Sequence, residues 1–159
     1  MKIRVQNIAE VRDKIPLFRG LSNDQVQAIV DVGNLIELEE RRVLCHEGDA
    51  STAFFILLSG GLKVRAGEVA LGKIRAVDVV GEMGVITGMP RSATLEVEEA
   101  ARLIVIDKDD FAALLADDYC MAAIVYRKLV DVLCHRLRES NVQLVKTQLK
   151  ALSDLTITI

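Results

Sequence analysis

The stretch Gly81-Glu82-Met83-Gly84-Val85-Ile86-Thr87-Gly88-Met89-Pro90-Arg91-Ser92-Ala93-Thr94 decides the reading of this chain. It carries one acid, one base and three glycines in fourteen residues. Glu82 follows a glycine, and Arg91 lies nine residues later, behind a proline. A pair of small residues, Ser92-Ala93, comes next. Such a segment offers a carboxylate acceptor at one end and a guanidinium with approachable backbone N–H groups at the other. Arginine presents a planar fork of donors that matches phosphate oxygens. Glycine and alanine let the main chain come near an anion without steric cost. A sugar diol joined to a phosphate would use both ends.

Outward from this stretch the chain reads as short β-type runs separated by Gly, Asp and Ser. The candidates are 34–38, 42–46, 53–59, 61–66, 69–75, 93–97 and 101–107. Turns are expected at Glu47-Gly48-Asp49, Ser59-Gly60-Gly61 and Ala66-Gly67-Glu68. Many short strands at this spacing predict a mainly β roll or jelly roll (a double-stranded β-helix). Residues 1–20 form a helical lead, broken by Pro16-Leu17-Phe18-Arg19-Gly20-Leu21-Ser22. Ser22 then caps a short helix over 23–32, with Gln25 completing a capping box. Phe18, Leu21, Val26, Ile29 and Val30 are its predicted buried face.

Helix returns at 108–116, and a much longer one follows from 117 to about 150 with no Pro or Gly. Met121, Val125, Leu129 and Val132 are spaced to pack on the roll, whereas Val130, Leu133, Leu137, Leu144 and Ala151 make a 3–4 seam with Ser140 and Thr147 at its polar positions. A helix of roughly 50 Å, at 1.5 Å per residue, outruns so small a domain. The seam therefore predicts a second chain, a homodimer through this C-terminal dimerisation helix. The division expected is a roll with flanking helices over 1–116, the long helix over 117–151, and a weakly strand-like tail over 152–159.

The bulk composition sets limits. The 159 residues, 51% of them hydrophobic and 27% charged, suffice for one domain with a core. A net charge of −3 argues against a nucleic-acid surface over the whole chain. No apolar run reaches membrane-spanning length, and Met1-Lys2-Ile3-Arg4 is too polar to open a signal peptide, so the expected location is the cytoplasm, with no membrane partner. Cys45, Cys120 and Cys134 read as free thiols filling core or interface. Two histidines, His46 and His135, without a His-x-His pair, do not make a cupin-type metal centre, and three scattered cysteines do not hold an iron–sulfur cluster. No Ser or Cys pairs with His in a nucleophilic motif, so no enzyme, catalytic residue, metal or cofactor is expected.

The opening stretch resembles the phosphate-binding cassette of the cyclic nucleotide-binding domain family. That family includes bacterial catabolite activators, protein kinase A regulatory subunits and cyclic nucleotide-gated channels. Its pattern, Gly-Glu-(Leu/Met)-(Ala/Gly)-Leu and then Pro-Arg-x-Ala-Thr, is met by Gly81-Glu82-Met83-Gly84-Val85 and Pro90-Arg91-Ser92-Ala93-Thr94. The resemblance implies that Glu82 accepts from the ribose 2′-hydroxyl and Arg91 pairs with the cyclic phosphate. It implies phosphate donation from the Ser92 and Ala93 backbone, and main-chain contacts from Gly81 and Met83. Val64, Leu71 and Ile74 are the apolar candidates facing the base.

The segment His135-Arg136-Leu137-Arg138-Glu139-Ser140-Asn141 resembles the catabolite-activator lid, which puts Arg136, Ser140 and Asn141 at the base. Ser140 and Asn141 have two readings, as lid contacts or as polar seam positions. One departure stands out: where the family has Pro-Gly-Asp before the cassette, this chain has Ala76-Val77-Asp78, and a β-branched valine replaces the turn glycine.

The implied function is a regulatory sensor for a cyclic nucleotide, cyclic AMP in the first place and cyclic GMP as the alternative ligand, working through its C-terminal helix on an unknown protein effector. No helix-turn-helix DNA-binding domain is expected in this chain. The alternative is a dimeric scaffold that keeps the fold, has lost the nucleotide, and acts by protein contact.

Overall fold

The structure, a computed structural model, describes residues 8–156. Helix α1 (Ile8–Lys14) and a 3₁₀ turn (Pro16–Phe18) precede α2 (Asn23–Asp31). Six strands follow: β1 (Gly33–Leu38), β2 (Val43–Cys45), β3 (Ala53–Ala66), β4 (Val69–Arg75), β5 (Asp78–Val80) and, after helix α3 (Glu82–Thr87), β6 (Thr94–Asp107). Helices α4 (Lys108–Asp117) and α5 (Tyr119–Thr156) close the chain. The expected start of the helical lead at 1–7 lies outside the described residues.

Two long strands carry the roll. The first half of β3 pairs with β5 and with the second half of β6, and that half of β6 pairs with β1. The second half of β3 pairs with β4 and with the first half of β6, and that half of β6 pairs with β2. All pairings are antiparallel, so two four-stranded layers share β3 and β6, which is the expected jelly roll.

The runs 53–59 and 61–66 were expected to be separate strands with a turn at Ser59-Gly60-Gly61, as were 93–97 and 101–107. Each pair is instead one strand that passes through irregular register from one layer to the other. Gly60 makes the passage possible. Its φ is +86°, and a Cβ there would lie 2.3 Å from the Ala100 carbonyl oxygen.

Side-chain alternation sorts the core into two. Phe55, Leu57, Leu62, Leu95, Val97 and Leu103 point between the layers. Phe54, Ile56, Ile104 and Ile106 point outward, where Phe18, Val26, Ile29, Phe111, Met121, Val125 and Leu129 cover them. The half of the roll under the helices is thus buried on both faces, which explains the unbroken apolar run Phe54-Phe55-Ile56-Leu57-Leu58. The other half shows solvent a charged face, where Glu98 meets Lys63 and Lys73.

The predicted capping box on α2 is present in both directions, Ser22 Oγ accepting from Gln25 N–H and Gln25 accepting from Ser22 N–H. Of the first stripe on α5, Met121, Val125 and Leu129 are buried and Val132 is half-buried. Val130, Leu137 and Leu144 of the seam are exposed at 58–62% in the single chain. The strand-like tail is corrected over 152–156, where α5 continues to Thr156 with no Pro or Gly to break it, and 157–159 lie outside the described residues.

Candidate functional site

Gly81 ends β5 and opens α3 in the left-handed region, with φ +83°. A Cβ there would meet the Arg91 Nη1 at 2.4 Å, so glycine is required both by the turn and by the arginine behind it. Glu82 is the first residue of α3 and is only 2% exposed. Its flank is apolar, with Leu17, Phe54, Val85, Phe111 and Leu129 beside it. A carboxylate in such surroundings is costly unless hydrogen-bonded. The partner comes from α5: Arg136 Nη1 donates to Glu82 Oε1 at 2.6 Å. Arg136 Nη2 donates to Asp78 Oδ2 at 3.2 Å and to the Val79 carbonyl. Glu82 Oε2 is buried with no partner.

Arg91 is 7% exposed, an unusual placement for a cation. Its Nη1 donates to the Gly81 carbonyl at 3.0 Å and its Nη2 to the Ala53 carbonyl. Its guanidinium carbon lies 5.1 Å from the centre of the Phe55 ring. Arg91 Nε is buried and unpartnered.

The segment holding Arg91 is clasped by the β2–β3 loop. Gly48 N–H donates to the Arg91 carbonyl at 2.9 Å, and Arg91 N–H to the Asp49 carbonyl at 2.8 Å. The buried Thr94 hydroxyl accepts from Glu47 N–H, and the Glu47 carboxylate holds Gly67 N–H in the β3–β4 turn. A buried acceptor and a buried donor, each held by neighbours and each with one unsatisfied atom, fit a ligand that carries a hydroxyl and an anion.

The other predicted residues divide. Ser92 is exposed and Ala93 half-buried beside Arg91, while Met83 is 48% exposed on α3. Val64 and Ile74 are half-buried against the interlayer core. Leu71 does not join them. It is the unpaired residue of a bulge between Val64↔Gly72 and Arg65↔Ala70, and it is 59% exposed. Ser140 and Asn141 are exposed on α5, one turn beyond Arg136, and make no hydrogen bond or ion pair with the cassette.

Sequence reasoning missed Asp78, Phe55 and the Glu47–Thr94 clasp. Asp78 had a signal, since it is the residue of the family's Pro-Gly-Asp that this chain retains. Val77, at the substituted position, does not have positive φ, and the Ala76–Val77 peptide is cis.

Cys45 lies behind the cassette, with Sγ 4.0 Å from the Ala93 carbonyl. Burial pushes its thiol up, against the lowering pull of Arg91, which makes it a packing residue rather than a nucleophile. Cys120 and Cys134 are exposed and fill no core in the single chain. His46 and His135 are exposed, and among the described residues no three His, Cys, Asp or Glu side chains gather as metal ligands. No helix among the described residues is long and apolar enough to cross a membrane.

With this geometry in place, the relatives are informative. The cyclic nucleotide-binding domain profile matches residues 35–118, more than half of the chain, and the chain belongs to that family. A cAMP-dependent protein kinase type II regulatory subunit of Drosophila melanogaster is 23% identical over 78% of this chain and 33% of its own length. A solved cyclic nucleotide-binding domain from Methylobacillus flagellatus superposes with a TM-score of 0.78 at 28% identity, covering 88% of this chain and 82% of the other. The catabolite activator protein of Thermus thermophilus gives 0.69 at 25%, covering 81% and 61%. The chain spans about a third or less of the length of the first curated relatives it matches.

Proposed function

We propose that this protein is a cyclic nucleotide sensor whose ligand is cyclic AMP and whose output is the position of α5 in a homodimer. The observation that carries the reading is the pair of buried, unsatisfied atoms in the cassette, Glu82 Oε2 and Arg91 Nε. A ribose hydroxyl and a cyclic phosphate would satisfy one each, and a charge-assisted bond of this kind contributes about 1.5–3 kcal/mol. Backbone N–H groups of Ser92 and Ala93 add donors to the phosphate. Val64 and Ile74 supply apolar surface for the base, and Ser140 and Asn141 reach it if the helix of either protomer closes over the site. The choice of cyclic AMP rests on this Ser-Asn pair, with Ser92 rather than threonine after the arginine.

Isothermal titration with cyclic AMP and cyclic GMP tests the reading. Saturable heat with cyclic AMP is expected, falling at least a hundredfold in affinity for Arg91→Ala, whose melting curve is recorded alongside because Arg91 also ties Gly81 to Ala53. Tenfold tighter cyclic GMP binding, about 1.4 kcal/mol, would reverse the ligand assignment. Flat heat with both nucleotides at high micromolar concentration would leave the dimeric scaffold as the better reading.

A further inference from the structure

We propose that Asp78 is a positioning residue for the ribose end of the site, acting on Glu82 through Arg136; the inference rests on the nucleotide-binding reading above. Asp78 is itself fixed, because its Oδ1 accepts from Val79 N–H at 2.8 Å. Its Oδ2 takes Arg136 Nη2, which the Val79 carbonyl also accepts. The guanidinium is thereby held on one edge by strand β5 and presents the other edge, Nη1, to Glu82 Oε1. That contact sets the rotation of the Glu82 carboxyl and leaves the buried Oε2 as its one unpartnered acceptor. The side chain of Glu82 is 3% exposed, against 30% for Arg136 and 31% for Asp78, so the relay runs from the surface inward.

Arg136 donates to three acceptors at this end, so it orients Glu82, the ribose acceptor, and is not available to the base. Only a planar fork can bridge two carboxylates and a carbonyl in this way, and lysine would lose at least one of them. The same bonds tie α5, which carries Arg136, to β5 and α3.

The relay ends on the 2′-hydroxyl, so its loss should be visible only when that hydroxyl is present. Asp78→Asn and Arg136→Lys are titrated with cyclic AMP and with 2′-deoxy cyclic AMP, and amide hydrogen exchange is followed over 130–140 without nucleotide. Each variant is expected to bind cyclic AMP at least tenfold more weakly than wild type and to bind the deoxy analogue within twofold of it. Exchange over 130–140 should quicken about tenfold while the strands are unchanged. The double variant should lose little more than either single one, because the residues act as a unit.

Equal losses for both nucleotides would overturn the relay and make Asp78 a general structural residue. Unchanged cyclic AMP binding would overturn it too. Wild-type protein that binds neither nucleotide would refute the functional reading, and unaltered exchange in Asp78→Asn would then refute the tether as well.

Discussion

At the scale of single residues, the cassette is held by contacts too close to leave slack. Gly84 sits in α3 against the loop before β3, and a Cβ there would lie 1.9 Å from Ser51 Oγ, 2.4 Å from Ser51 Cβ and 2.9 Å from the Met89 carbonyl. Overpacking of this kind costs about 1–3 kcal/mol. Gly84→Ala is therefore expected to lower the melting temperature by ~3–10 °C and to weaken nucleotide binding. Ser51→Gly in the same chain should restore much of both, since it removes the two nearest atoms. Differential scanning calorimetry of the single and double variants decides this, and an additive double variant would refute the clash. Glu82 and Arg91 were legible in the sequence because their chemistry lies in one local stretch. Their pairings were not: Ala53 is 38 residues from Arg91, and Arg136, expected at the base, is 54 from Glu82. Such contacts are set by packing, which no local spacing encodes.

At the scale of elements, helix boundaries followed local rules and strand boundaries did not. The α2 capping box is a four-residue device, so the sequence displays it whole. Ser59-Gly60-Gly61 looks like a turn and 98–100 like a gap between strands in one dimension, yet in the sheet they are bends that β3 and β6 pass through together. Asp118 shows a further local device. It breaks α4 from α5 with extended backbone, and its carboxylate accepts from Met121 N–H at 2.8 Å and from Gln25 Nε2 of α2. These bonds, the Met121 one foremost, hold its carboxyl below the ordinary value of 3.8. A carboxyl lowered in the folded state stabilises fully above that ordinary value, and its contribution is lost as pH falls through the lower folded one. Melting temperatures measured from pH 5 down to pH 2.5 should therefore drop less steeply in Asp118→Ala than in wild type. Parallel curves would show that the tie between α2 and α5 is not coupled to protonation.

At the scale of the molecule, α5 extends past the roll, and residues 137–153 are all exposed. Val142, Val145, Leu149 and Leu152 add apolar surface at 52–61% exposure beside the expected seam. Exposed apolar surface on this scale marks interaction sites, and in the homodimer proposed above a second α5 would cover it. On the proposed reading, Leu137→Glu is expected to sediment as a monomer and to bind cyclic AMP more weakly, because a coupling of ligand to dimerisation acts equally in both directions. A monomer that binds as tightly as wild type would reduce α5 to a strut.

The roll itself treats the cassette differently. Val80 pairs with Phe55 at one end of it and Thr94 pairs with Arg65 at the other, so a single strand, β3, anchors both ends. The intervening residues form a loop closed by the sheet. The entropy of closing that loop is given up when β3 finds β5 and β6, as part of folding. A ligand of the proposed kind would not meet that closure cost again on binding, which leaves more of the free energy of its contacts available as affinity.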